Sequence, residues 1–167
     1  MKIGKYEVRR KYKLAHLVVD IATIGIIFVL LVVFVNTMQG MPKEVPILTN
    51  HTGCVLQFAN KKILIMPIII SVAATLLSII IGFFPNIFAS KFDASEDNAQ
   101  KFYDIIIALL NEIRLIIVVM MFDIFFNILS TVNGGNTSPP FFLIGCVIAI
   151  LIIIRIRIKQ IKHIKYE

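Results

Sequence analysis

The chain has 167 residues, of which 58% are hydrophobic and 16% charged, and its mean hydropathy is +0.89. These values exclude an ordinary soluble domain and predict an integral membrane protein without room for a second domain. The net charge of +7 comes largely from basic residues crowded at the two termini, beside apolar segments. That placement favours a lipid bilayer with anionic headgroups over nucleic acid as the partner of the basic ends.

Four apolar segments are each long enough to cross a hydrocarbon core of about 30 Å at about 1.5 Å per helical residue. A soluble helical bundle would need exposed polar faces, which these segments lack. The predicted fold is therefore all-α: a single membrane domain, 1–167, built as a bundle of four transmembrane helices. The segments are residues 14–35, 63–84, 105–129 and 141–158.

The first segment follows six Lys or Arg residues, an arrangement that a signal peptide shares. This apolar run is too long for a signal peptide, and no small-residue cleavage site follows it. We therefore expect an uncleaved first helix.

The long loop 36–62 contains Pro42 and Pro46. Each proline fixes a backbone angle and removes an amide donor, so the loop is expected to follow an extended, rigid path. This loop also carries the most specific pattern in the chain. Its ligand- or partner-binding candidates are Pro42, Pro46, Asn50, His51, Gly53 and Lys61.

The pattern resembles the bacterial membrane family called domain of unknown function 1648. In that family a Pro-x-x-x-Pro pair precedes a His-aromatic-Asn-x-x-Gly element and a lysine before the next helix. Pro42, Pro46, Asn50, Gly53 and Lys61 fall on this pattern without a gap. The resemblance covers roughly residues 15–130. Departures from it are Leu48 in place of the usual His, Thr49 in place of an aromatic residue, and Leu56 in place of Asp.

Relatives in this family include immunity proteins that protect bacteria from the sporulation-delaying toxin, and longer members take part in signalling. The resemblance thus implies immunity or sensing as the function, with the loop contacting a peptide toxin or a partner membrane protein. The alternative is that the loop is only a proline-fixed connector that caps two helices.

The second segment places Ser71, Thr75, Ser78 and Gly82 at intervals of three and four residues, which is one helix face. Small side chains in such a stripe let helix backbones approach closely in lipid. Packing is the favoured interpretation, and a substrate path is the alternative.

The third helix is expected to begin at Ser95-Glu96-Asp97-Asn98, because a capping side chain followed by early negative charge is typical of a helix start. Further along, Glu112 and Asp123 differ by only about 20° around the helix, so both lie on one polar face. Arg114 points nearly the opposite way from Glu112, and the two are not expected to pair.

Five polar residues lie within or at the ends of the apolar segments: Asp20, Glu112, Arg114, Asp123 and Asn127. Asp20 can reach either His16 or Arg114. Asn127 is one turn beyond Asp123 and can hydrogen-bond to it. Such residues mark either a functional site or contacts between helices.

The fourth segment spans the bilayer only if the helix continues past Arg155 and Arg157, with both side chains reaching the headgroups. Beyond them, Ile158, Ile161 and Ile164 alternate with lysines. This tail is expected to rest on anionic headgroups or to bind a partner.

Lys and Arg residues are retained on the cytoplasmic side of membranes, so their distribution predicts orientation. Thirteen of them lie in the two termini and in segment 85–104, against three in loop 36–62 and none in 130–140. Both ends are therefore expected in the cytoplasm of a multi-pass cell-membrane protein, with loop 36–62 outside.

No catalytic motif, metal-ligand cluster or cofactor-binding motif is present in the sequence, which predicts a non-enzymatic protein. Immunity or sensing is the leading function. A small transporter subunit that uses Asp123 and Glu112 as an ion path is the second, and a membrane assembly factor is the third.

The predicted topology can be tested with the two cysteines. Cys54 lies in the expected outer loop and Cys146 within the fourth apolar segment, so both are expected to be free thiols. A membrane-impermeant thiol reagent applied to intact cells should label Cys54 and spare Cys146. Labelling of Cys54 only after lysis would show that the topology is the opposite of the predicted one.

Overall fold

A computed structural model of the chain describes residues 2–3, 6–7, 14–49, 55–84, 96–134 and 141–166. Four of its helices are long and apolar enough to cross a membrane, as predicted. The elements in chain order are β1 (Lys2–Ile3), β2 (Tyr6–Glu7), α1 (Leu14–Met38), β3 (Glu44–Thr49), β4 (Val55–Asn60), a 3-10 turn (Lys61–Leu64), α2 (Ile65–Phe83), α3 (Glu96–Val132) and α4 (Phe141–Tyr166).

The third and fourth helices extend well beyond their apolar segments. At about 1.5 Å per residue, the 37 residues of α3 span roughly 55 Å, far more than a hydrocarbon core of about 30 Å. Its start at Glu96 confirms the predicted position. The continuation of α4 to Tyr166 confirms that this helix runs past Arg155 and Arg157.

The expectation of an all-α chain was wrong for loop 36–62. Strands β3 and β4 pair there as an antiparallel hairpin, with Val45 opposite Ala59 and Pro46 opposite Phe58. The predicted extended path is confirmed, but the pairing was missed. Proline is tolerated in a two-stranded sheet because its missing N–H can face the unpaired edge.

Helix α3 is the centre of the bundle and packs against α1, α2 and α4. At one end, which we call the basic end, the start of α3 packs against the last turns of α4 through Phe102 and Ile161. At the other end, which we call the hairpin end, Val45 of the hairpin packs with Leu30 of α1 and Phe125 of α3. These contacts make α1 and α3 run in one direction and α2 and α4 in the other.

The small-residue stripe of α2 serves close packing, as predicted. Gly82 is buried, and a Cβ atom there would lie 3.2 Å from Cδ1 of Ile107 on α3. The Tyr103 hydroxyl of α3 donates to the Gly82 carbonyl at 3.2 Å. Ser71 is also buried, and its hydroxyl donates to the Pro67 carbonyl of its own helix.

Large apolar side chains are strongly exposed along α1, α2 and α4, whereas α3 contributes none of them within the described residues. An exposed apolar surface on this scale is unfavourable in water. It fits a multi-pass membrane protein, whose outer helices face lipid and whose central helix is shielded from it.

Candidate functional site

The polar side chains of α3 near its midpoint each contact a neighbouring helix. We call this set the polar layer: His16 and Asp20 of α1, Asn111, Glu112 and Arg114 of α3, and Arg157 of α4. Residues 111 and 114 are three apart and share the helix face toward α1, while Glu112 points toward α4. The layer thus ties the central helix to two of its neighbours.

The first contact is the ion pair between Asp20 and Arg114, in which the Arg114 Nη2 donates to Asp20 Oδ1. The Arg114 side chain is only 3% exposed and that of Asp20 is 23% exposed. A buried guanidinium without a counter-charge is costly in an apolar interior, so the pair is needed to tolerate Arg114 in this position. Asp20 is therefore paired with Arg114, one of the two partners predicted for it.

His16, the other predicted partner, lies one turn before Asp20 and contacts Asn111 of α3. The Asn111 Nδ2 lies 2.8 Å from the His16 Nδ1. The pairs His16–Asn111 and Asp20–Arg114 repeat one turn apart along two helices that run in the same direction.

The second ion pair joins α3 to α4. Arg157 Nε donates to Glu112 Oε2 at 3.1 Å, and its Nη2 donates to Glu112 Oε1, so the contact is bidentate. Arg157 Nη1 also donates to Gln160 Oε1 at 3.0 Å. Arg157 therefore has a protein acceptor, Glu112, on the neighbouring helix, and its expected position at the headgroups stays a prediction. Arg155 is exposed.

Asp123 lies nearer the hairpin end on the same helix. Asn127 Nδ2 donates to Asp123 Oδ2 at 2.9 Å, which confirms the predicted contact across one turn. The Asp123 carboxylate is close enough to Cys146 of α4 to interact with its thiol electrostatically.

The hairpin residues divide into exposed and structural ones. Pro42 is exposed, and Pro46 is half-buried opposite Phe58. Lys61 turns back onto the end of α1, where its Nζ donates to the carbonyls of Met38 at 2.8 Å and Met41 at 3.1 Å. These contacts satisfy acceptors at a helix C-terminus and complement its dipole. Asn50, His51 and Gly53 lie outside the described residues.

Asn111 and Arg157 were missed as site residues from the sequence. A signal for Arg157 was present, because an arginine inside an apolar helix requires a nearby acceptor. Nothing local to Asn111 indicates its partner, since His16 is 95 residues away along the chain.

Within the described residues, no three His, Cys, Asp or Glu side chains come together in a way that could hold a metal ion. Comparisons of the chain with protein-family models, curated proteins and solved structures gave no match. Membership of the family that the loop resembles remains a prediction.

The Asp20–Arg114 pair leads to a stability prediction. Asp20→Asn and Arg114→Met should each lower the free energy of unfolding by about 3–5 kcal/mol, because the first leaves the buried Arg114 guanidinium without a counter-charge and the second leaves the Asp20 carboxylate without one. The double variant should lose less than the sum of the two single variants. Denaturant titration of the purified protein in micelles measures all three.

The matched control is Glu112→Gln, since the Glu112–Arg157 pair is 34% and 22% exposed and its loss should cost about 1 kcal/mol or less. If the losses in unfolding free energy caused by Asp20→Asn and Arg114→Met add strictly in the double variant, the two side chains do not stabilise the fold through their mutual contact.

A further prediction concerns Asp123, which we expect to be required and to face the bundle interior. Asp123→Asn should accumulate and function like the parent if the hydrogen bond from Asn127 is what matters, because an amide oxygen also accepts. Asp123→Leu should lower the folded fraction measured by size-exclusion chromatography. Parent-like behaviour of the leucine variant would make Asp123 dispensable, and loss of function in Asp123→Asn alone would indicate a proton or ion role.

Proposed function

We propose that this chain is a non-enzymatic bacterial protein of the cell membrane that acts in toxin immunity or in sensing. In this proposal both ends are cytoplasmic and the β3–β4 hairpin, residues 44–60, lies outside. The hairpin engages a peptide toxin or a partner membrane protein. The observation that carries the proposal is a hairpin fixed firmly to the bundle while part of its surface stays exposed.

The fixed side of the hairpin is formed by Val45 and Lys61. Val45 is fully buried and packs into the apolar cluster at the hairpin end. The Lys61 amine holds the end of α1, and its backbone N–H donates to the Lys43 carbonyl at 2.9 Å. A binding surface held in this way loses little conformational entropy when a ligand binds.

The exposed side offers both apolar contact and backbone hydrogen bonds. The Phe58 side chain is 58% exposed at the hairpin surface. A two-stranded sheet also has unpaired backbone groups along its outer edges, and an extended peptide can add to such an edge as a further strand. Both features suit a peptide ligand, in agreement with the resemblance of this loop to a family that includes immunity proteins.

The contacts of the intramembrane carboxylates favour this function over transport. Asp20 and Glu112 are each bound to an arginine, and Asp123 accepts a hydrogen bond from Asn127. An ion path through Glu112 would first have to break a bidentate contact. We therefore assign these residues to interhelical contact and the hairpin to recognition.

The proposal is tested by expressing the chain in bacteria that are sensitive to the sporulation-delaying toxin. Expression of the parent should raise the toxin concentration needed to kill the cells. Phe58→Ala should abolish most of this protection at an unchanged protein level, because it removes the exposed apolar contact. Killing is measured by growth inhibition, and protein level by immunoblot.

The matched control is Phe28→Ala, which removes the same side chain from an exposed position, 65% accessible, on α1. It should protect like the parent. Unchanged killing in cells that express the parent, across a panel of related peptide toxins, would reject immunity and leave transport as the better hypothesis.

A further inference from the structure

The outward face of α4 changes from apolar to basic within about one turn. Ile148 and Ile152 are 50% and 53% exposed, and Arg155 and Lys159 are exposed as well. At about 100° per residue, these four side chains lie within about 60° of one another around the helix axis. We call this set the outer stripe.

The two basic residues of the outer stripe have no counter-charge. Within the described residues, the side chains of Arg155 and Lys159 form no ion pair and no hydrogen bond. The inward-facing Arg157, in contrast, is held by Glu112, and α4 itself contains no Asp or Glu. Two like charges four residues apart on a helix repel each other. The pair therefore favours an anion that comes from outside the chain.

The apolar part of α4 is short for a bilayer. From Phe141 to Ile154 it rises about 21 Å at about 1.5 Å per residue, whereas a hydrocarbon core is about 30 Å thick. With Phe141 at one boundary of the core, Arg155 lies below the opposite headgroups. A cation at such a depth is stabilised when its side chain extends toward the headgroups and the bilayer thins around it. Both adjustments bring a lipid phosphate to Arg155.

We propose that the outer stripe is a binding site for an anionic phospholipid whose headgroup carries a phosphate and no amine, such as phosphatidylglycerol. Arg155 and Lys159 are about 6 Å apart along the helix axis, so one phosphate can accept hydrogen bonds from both side chains. An acyl chain of the same lipid lies along Ile152 and Ile148. The site lies on a different helix from the hairpin and does not depend on the function proposed for it.

The charge of the outer stripe selects among phospholipids. Phosphatidylethanolamine has the same phosphate, but it also carries an ammonium group, which two neighbouring cations repel. Phosphatidylglycerol has only the negative charge. A soluble anion satisfies the two cations but has no apolar part to cover the isoleucines that continue the stripe. A phospholipid without an amine provides both contacts.

The test uses fluorescence quenching, because the chain contains no tryptophan and a single one can be placed beside the site. Ile152→Trp is the reporter. The protein is reconstituted into vesicles of equal amounts of phosphatidylglycerol and phosphatidylethanolamine, with bromine on the acyl chains of only one of the two lipids. Bromine quenches a tryptophan in contact with it. The two sets of vesicles therefore show which lipid lies against α4.

The lipid preference derived from the two quenching curves should favour phosphatidylglycerol by at least about threefold. Arg155→Gln combined with Lys159→Gln should reduce this preference to near one. The matched control is Lys43→Gln combined with Lys62→Gln, which removes the same charge from exposed positions at the hairpin end. This control should keep the preference of the parent reporter.

Equal quenching by the two lipids in the parent reporter would overturn the proposal. A preference that survives Arg155→Gln with Lys159→Gln would also overturn it, because other charges of the chain would then attract the lipid. So would a preference lost in the Lys43→Gln and Lys62→Gln control, since net charge alone would then be its cause.

A second reporter keeps the test decisive where Ile152→Trp accumulates poorly. Ile148→Trp lies about two turns before Arg155, on the same face of α4. It should show the same preference and the same loss with Arg155→Gln and Lys159→Gln. Equal quenching by the two lipids at this position would likewise overturn the proposal.

Discussion

The architecture depends on the burial of Arg114 in the middle of the central helix. A guanidinium that is 3% exposed, in a bundle whose outer surface is apolar, needs a counter-charge within reach. Asp20 supplies it, and this contact fixes both the rotation of α1 about its axis and its height along α3. The neighbouring His16–Asn111 contact then follows from the same register, one turn nearer the basic end. Apolar packing alone would tolerate other rotations, because Leu, Ile and Val side chains are interchangeable against lipid.

The hairpin end is held by a different kind of contact. Lys61 follows β4 directly, and its amine binds carbonyls at and just beyond the end of α1. A single side chain therefore closes the loop between the first two helices and caps the first of them. Lys61 therefore positions the hairpin on the bundle, and in the proposed function the exposed Phe58 side chain contacts the ligand.

Much of the fold was predictable because its signals are local. The length and hydropathy of the four segments predicted the helices. The Ser95–Asn98 pattern predicted the start of α3, and the spacing of Asp123 and Asn127 predicted their hydrogen bond. The hairpin was not predicted, because strand pairing depends on residues far apart in the chain and Pro46 argues against a strand. The partners of Asp20, Asn111 and Arg157 could not be chosen either, since they depend on how the helices are rotated and offset against one another.

The unbroken run of α4 to Tyr166 changes how its basic residues meet the membrane. Ile161 packs against the start of α3, so in the proposed topology the two helices leave the bilayer together as a stalk. From Arg155 to Lys162 this stalk rises about 10 Å at about 1.5 Å per residue, which exceeds the Debye length of about 8 Å at physiological ionic strength. With Arg155 at the level of the headgroups in the proposed topology, Arg155 and Lys159 lie within one Debye length of the anionic lipid surface, whereas Lys162 lies beyond it. In that topology the outermost charges of the stalk interact with solvent rather than with lipid.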